Sequence, residues 1–136
     1  PGKRPRATLT PSMALKDGKP YLAFAVQGGD TQEQNLLQFF LNVVEFGMTP
    51  QEAAEGANIT TYQLRDSFGS HESIPGRLTL AESVPAWVRN ELTKKGYKLE
   101  FSANNSGPIT AIQIDAKHGT FWGAAAYHGE DYGIAW

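Results

Sequence analysis

The 136-residue sequence contains no cysteine, only three histidines and no marked excess of either charge. Without cysteine, disulfide staples, thiolate catalysis and cysteine-based metal sites are excluded. The absence does not choose between a cytoplasmic and a periplasmic or secreted location. His71, His118 and His128 lie far apart, without ligand spacing, each beside glycine or within a polar stretch. They read as surface residues, and neither a metal site nor another cofactor is expected. A formal net charge of −2 removes any chain-wide electrostatic case for nucleic acid or an anionic membrane surface. Lys3, Arg4 and Arg6 form the one basic cluster, beside prolines. It fits a solvated lead-in, and a phosphate contact is the alternative. No apolar run has the length of a membrane span, since the longest, Leu36 to Val44, is interrupted by Gln38 and Asn42. No targeting segment is visible.

What remains is ordinary globular composition, 40% hydrophobic and 19% charged, which suits a single domain over residues 1–136. The chain opens without Met on Pro1-Gly2-Lys3-Arg4-Pro5, which reads as a stretch inside a longer protein. Residues 1–11 carry Pro1, Pro5 and Pro11 and predict an extended lead-in, because proline disfavours helix at and before its position. Ser12 to Lys16 and Pro20 to Gln27 are short apolar runs around Asp17-Gly18-Lys19, a hairpin signal. The second run, apolar on both faces, predicts a central strand covered on each side. After Gln27-Gly28-Gly29-Asp30-Thr31, the spacing of Leu36, Leu37, Phe40, Leu41, Val43 and Val44 predicts a helix to about Phe46, stopped by Gly47. Gln32 and Gln34 read as plain residues of its first turn. Thr49-Pro50-Gln51-Glu52 has the pattern of a capping box opening a short helix to about Glu55.

Further on, Ile59 to Arg65 predicts a strand and Asp66 to Gly76 a polar surface loop. Ser83 is placed to cap a helix over Val84 to Lys95, ended by Gly96. Tyr97 to Phe101 predicts a strand, Ala103-Asn104-Asn105-Ser106-Gly107 a loop, and Ile109 to Ile114 with Thr120 to Ala126 a second hairpin. Glu130-Asp131 reads as solvated. Asn58-Ile59-Thr60 and Asn104-Asn105-Ser106 match the short glycosylation pattern, which is common by chance. The order β-β-α-α-β-α-β-β-β favours an α+β layer over a doubly wound sheet.

The Gly28-Gly29 pair is the most informative local feature. Glycine lets a substrate approach the main chain, and N–H groups at a helix start are unpaired at the positive end of the dipole. Such a turn suits an anion or a developing oxyanion. A tight turn without function is the alternative.

The surroundings favour the first of these. Lys3-Arg4-Pro5, Thr10-Pro11-Ser12-Met13, Leu15-Lys16-Asp17-Gly18-Lys19-Pro20 and Gly28-Gly29-Asp30 follow one another in the order of a known signature. They continue in Leu41-Asn42-Val43-Val44-Glu45-Phe46-Gly47-Met48-Thr49-Pro50-Gln51-Glu52-Ala53 and, more thinly, in Leu92 to Tyr97 and Gly133-Ile134-Ala135. The chain resembles the C-terminal part of the small subunit of gamma-glutamyltranspeptidases, most densely over residues 3–54. The resemblance implies an N-terminal-nucleophile hydrolase, an αββα sandwich of which this chain is a C-terminal portion. It implies a self-cleaving precursor whose new N-terminal threonine, with its own amine as base, attacks a gamma-glutamyl amide and forms an acyl-enzyme. Gly28 and Gly29 take the oxyanion role in that scheme. The family threonine falls upstream of Pro1, and none of Thr8, Thr10 or Thr31 replaces it.

The departures from the family pattern bear on the donor. Where two serines usually grip the donor α-carboxylate, Ala7-Thr8 stands here, so only Thr8 keeps a hydroxyl. Asp30 stands where serine is common; it either opposes a carboxylate at the pocket edge or caps the following helix. Asn58-Ile59 and Ala126-Tyr127-His128 replace the family's arginine-bearing motifs. These changes point to the looser branch that includes acylases and hydrolases of other amides. The expected partners are a gamma-glutamyl or other acyl-amide substrate and the N-terminal remainder of the parent protein. An isolated chain is expected to be inactive for want of the nucleophile, and to self-associate through exposed strand edges. A degenerate, non-catalytic binding module of the same fold is the alternative.

Overall fold

The computed structural model describes residues 1–5, 7–103 and 107–128. The expectations for Asn104-Asn105-Ser106, Glu130-Asp131 and Gly133-Ile134-Ala135 lie outside them. Ten regular elements follow the lead-in: β1 (Ser12–Lys16), β2 (Lys19–Ala25), α1 (Gln32–Val44), α2 (Pro50–Glu55), β3 (Ile59–Thr61), β4 (Arg77–Ala81), α3 (Ala86–Lys94), β5 (Lys98–Ser102), β6 (Thr110–Asp115) and β7 (Thr120–Ala125). A 3₁₀ turn over Gly29–Thr31 leads into α1.

The strands form two sheets, one ordered β1-β2-β6-β7 and one ordered β3-β4-β5. In the first, all neighbours are antiparallel. Asp17 and Gly18 both take positive φ, 53° and 73°, the conformation that a two-residue hairpin turn of matching twist demands. A register shift between Ala14 and Leu15 marks a bulge beside the turn. Helices α1 and α2 cover one face of this sheet, where Leu22, Val26, Phe39, Val43, Ala53, Ala54, Ala111 and Ala124 form a core with Ile109. The rings of Phe24 and Phe39 meet at 5.6 Å between centroids, tilted by 40°.

Strand β2 is central, as its composition predicts, but among the described residues only one of its faces is covered. Met13, Ala23, Ile112 and Gly123 are cross-strand partners in one row, and Met13 and Ile112 are 61% and 49% exposed. The small side chains on that open face give a flat surface, and its lack of cover corrects the expectation of a doubly covered strand.

The second sheet departs further from the sequence reading. Strand β4 is not anticipated, because Arg77-Leu78-Thr79-Leu80-Ala81 is short and sits beside the polar loop. It nevertheless pairs with β3 antiparallel and with β5 parallel, through α3 as the crossover. The strand expected over Ile59 to Arg65 stops at Thr61, after which the chain turns into the loop held by Ile74 N–H donating to Tyr62 O at 2.8 Å. Helix α3 begins at Ala86 with Pro85, not Ser83, at the N-cap. Val84 precedes a proline and so avoids helical geometry, and it is buried with Leu78, Leu80 and Ala81 in a small second core.

Side-chain amides join the two sheets. Gln38 donates to Ile59 O and accepts from Ile59 N, both at 2.8 Å. One helical turn earlier, Gln34 donates to Thr61 O at 3.1 Å and accepts from Thr61 N at 2.8 Å. Two glutamines at i, i+4 thus supply the free edge of β3 with the hydrogen bonds that a neighbouring strand would have made. Gln51 of α2 does the same at β7, donating to Ala125 O at 2.9 Å and accepting from Ala125 N at 3.1 Å.

Candidate functional site

The site lies where β2 ends and α1 begins. Thr31 N–H and Oγ1–H both donate to Gly28 O, at 3.3 and 2.9 Å, and close the turn. Gly28 has φ +140° and Gly29 has φ +59°. A Cβ at Gly28 would lie 2.8 Å from Thr31 Oγ1, so the conformation and the close packing both require glycine there. Among the described residues, no acceptor takes the N–H of Gly28 or Gly29. Two adjacent donors beside a helix start are thus open to solvent or to an oxygen of a bound molecule.

Gln32 ties the lead-in to this turn. Its side chain is 2% exposed, and its Nε2 donates to Val26 O at 2.8 Å, Thr8 O at 3.0 Å and Thr10 Oγ1 at 3.2 Å. Thr10 Oγ1 donates in turn to Val26 O at 3.1 Å. The structure therefore brings the main chain of Thr8 to the end of β2, two residues before Gly28. The sequence reading treats Gln32 and Gln34 as plain residues of a helical turn, and here it is corrected. A polar residue at a helix start carries no sequence signal for partners that are 22 and 24 residues away.

Asp30 lies within the 3₁₀ turn and does not cap α1, whose N-cap is Thr31. Its Oδ2 accepts from Ser67 N at 2.5 Å. That bond draws the polar loop onto the turn. Phe68 comes within 3.6 Å of where a Gly29 Cβ would stand, and Asp66 holds the loop by accepting from Phe68 N at 2.8 Å. The sequence reading leaves this loop at the surface and misses its contact with the turn. Nothing local in its sequence names the partner.

The histidines lie elsewhere. His118 is paired with Asp115 at 2.6 Å on the β6–β7 turn, and that hydrogen bond is the main cause that holds the Asp115 carboxyl below its ordinary range. His71 Nδ1 lies 2.9 Å from Asp66 O. Among the described residues no group of three or more His, Asp or Glu is arranged to hold a metal ion, and no helix is long and apolar enough to cross a membrane.

The two sheets with their helices form an α+β arrangement that is a portion of the N-terminal-nucleophile hydrolase fold, as likeness to solved structures shows. A solved gamma-glutamyltranspeptidase from Helicobacter pylori superposes with a TM-score of 0.76 at 26% identity, over 93% of this chain and 63% of that one. An acivicin-inhibited gamma-glutamyltranspeptidase superposes with a TM-score of 0.78 at 26% identity, over 95% of this chain and 64% of that one. The sequence profile of the gamma-glutamyltranspeptidase family matches residues 1–136, and the chain belongs to that family. It is 34% identical over 125 residues to the glutathione hydrolase proenzyme of Bacillus subtilis, which covers 92% of this chain and 19% of the relative. It is 30% identical to the acylase ACY 1 proenzyme of a Pseudomonas species, over 99% of this chain and 22% of the relative. The chain thus spans about a fifth of the length of these curated relatives.

Proposed function

We propose that this chain supplies the oxyanion turn and part of the donor pocket of an autoprocessed amide hydrolase or acyltransferase, with the nucleophile contributed by sequence outside it. The observation that carries the reading is the pair of open N–H groups at Gly28 and Gly29. In the proposed reaction an N-terminal threonine hydroxyl adds to the amide carbonyl while its own amine accepts the proton. The negative charge gathers on the carbonyl oxygen, where the two glycine N–H groups donate to it. The amine departs with a proton, and water or a second amine then takes the acyl group from the threonine. Thr8 offers its hydroxyl to the donor carboxylate. Asp30 stands at the pocket edge, where a second carboxylate is unwelcome unless paired.

The substrate follows from that balance. Only one hydroxyl of the usual pair is present at Ala7-Thr8, which weakens the grip on a gamma-glutamyl group and favours tolerance of other acyl groups. Relatives described as glutathione hydrolase and as acylase bracket this range. The open face around Met13, Ala23 and Ile112 is where the remainder of the parent protein packs, and the isolated chain is expected to be inactive and to self-associate through it.

The test is a parent protein carrying the upstream segment, assayed for self-cleavage and for hydrolysis of gamma-glutamyl-p-nitroanilide and simple acyl anilides. Cleavage with turnover is expected, and Gly29→Val should reduce kcat by about 100-fold or more. A parent that never cuts itself and hydrolyses none of these amides would overturn the reading in favour of a binding module. Light scattering tests the self-association, and a monomer at high concentration would exclude it.

A further inference from the structure

We infer that Gln32 is the positioning residue that fixes the distance between the two halves of the donor pocket. This rests on the reading of Thr8 and Gly28-Gly29 given above. In that reading the donor is held at two points, its carboxylate at Thr8 and its reacting carbonyl at the glycine turn. Neither point is part of a regular element. Thr8 lies in the extended lead-in, and Gly28 lies between β2 and the 3₁₀ turn.

What connects them most directly is one amide nitrogen. Gln32 Nε2 reaches Thr8 O at 3.0 Å and Val26 O at 2.8 Å, so both main-chain segments hang from the same atom. Among the described residues no other side chain links Thr8 to the body of the fold. Gln32 itself is 2% exposed and its bond to Val26 O is buried, which keeps water from competing at that end, whereas Thr8 lies at the surface. Its backbone is fixed as well, because Gln32 opens α1 and its N–H donates to Gly29 O. The side chain therefore transmits the position of the glycine turn to the lead-in. Thr10 is the second strut, sharing Val26 O and the same Nε2.

Positioning of this kind has a kinetic signature. A donor held at both ends needs the correct spacing to bind, whereas a carbonyl already at the glycine turn meets the same N–H groups regardless. Loss of the strut should thus weaken binding of carboxylate-bearing ligands more than it slows the chemical step.

The experiment uses the self-cleaved parent enzyme with Gln32→Met, which keeps length and burial but removes the donor. KM for gamma-glutamyl-p-nitroanilide and the inhibition constant of free L-glutamate are expected to rise together, by about tenfold. The kcat should stay within about threefold. Thr10→Val removes the second strut with little change of shape, and a smaller rise of both constants, about threefold, is expected from it. If Gln32→Met fails to cut itself, Thr10→Val carries the test alone. Unchanged KM and inhibition constant in the variants, or a fall in kcat at constant KM, would overturn the inference. A wild-type parent with no turnover would instead strike the functional reading on which it rests.

Discussion

The two sheets of this chain are stabilised in different ways. The four-stranded sheet has its own core of eleven buried apolar residues beneath α1 and α2, whereas the three-stranded sheet buries four against α3. Burial scales with the apolar area removed from water, so the first unit holds itself and the second leans on it. The lean is polar. Gln34 and Gln38 pair with the backbone of β3 at Ile59 and Thr61, and Asn58 donates to the fully buried Asn35 of α1 at 3.3 Å. Apolar packing builds the half that carries the glycine turn, and directional hydrogen bonds attach the half that carries the loop over it.

That contrast can be broken at its strongest point first. Phe39 is 1% exposed at the centre of the first core, and Phe39→Ala should cost about 3–5 kcal/mol in denaturant unfolding. A loss below about 1 kcal/mol would show that the first core is not the stabilising centre. Leu80, fully buried in the second core, should cost about 2–4 kcal/mol as Leu80→Ala, in unfolding or in local opening of β3–β5. Hydrogen exchange separates the two, since local opening exposes Leu78 and Leu80 amides and spares those of Leu22 and Ala111.

Gln38→Leu sharpens the polar side of the comparison. It leaves the Ile59 N–H and C=O without partners and should cost about 1–3 kcal/mol. Faster exchange at Ile59, with β2 and β6 unchanged, is the expected pattern; uniform acceleration would mean that the sheets do not open separately.

The smallest effect belongs to the α2 cap. The Thr49 side chain accepts from Glu52 N at 3.3 Å, and Glu52 Oε2 accepts from Thr49 N at 2.8 Å. Thr49→Ala should cost about 1 kcal/mol. The bond from the Thr49 backbone, and then that from its hydroxyl, hold the Glu52 carboxyl below its ordinary value of 4.5. A lowered carboxyl pKa adds stability that is present above the ordinary value and is lost as pH falls through the lowered one. Glu52→Gln should flatten that acid limb in a stability-against-pH series, and an unchanged limb would deny the linkage.

Legibility in the sequence followed the range of the interaction. The Asp17-Gly18 turn and the Thr49-Glu52 cap are local, and the structure contains both. The α1 helix is there too, but its stripe is corrected: Leu36 and Val43 are buried together with Phe39, whereas Leu37, Leu41 and Val44 are exposed, because periodicity gives the helix and only the packing partner picks its face. Strand β4 escaped because five residues beside a Gly/Pro-bearing loop carry little periodicity, and its pairing with β5 is set by α3 rather than by its own sequence. The Gly28-Gly29 turn was legible because glycine is demanded by backbone geometry. Its neighbours Gln32, Ser67 and Phe68 were not, since each meets its partner across a gap in sequence that no local pattern encodes.

The sequence by itself determined the family, the antiparallel hairpins, the helix that follows the glycine pair and the exclusion of cysteine chemistry. All of these rest on residue type, turn geometry and short-range periodicity. Only the tertiary structure decided that the strands divide into two sheets, that the described residues leave one face of β2 open, and that Thr8 hangs beside the glycine turn from Gln32. Those outcomes depend on buried amides finding acceptors far along the chain, because a buried polar group without a partner is costly and folding selects the arrangement that satisfies it.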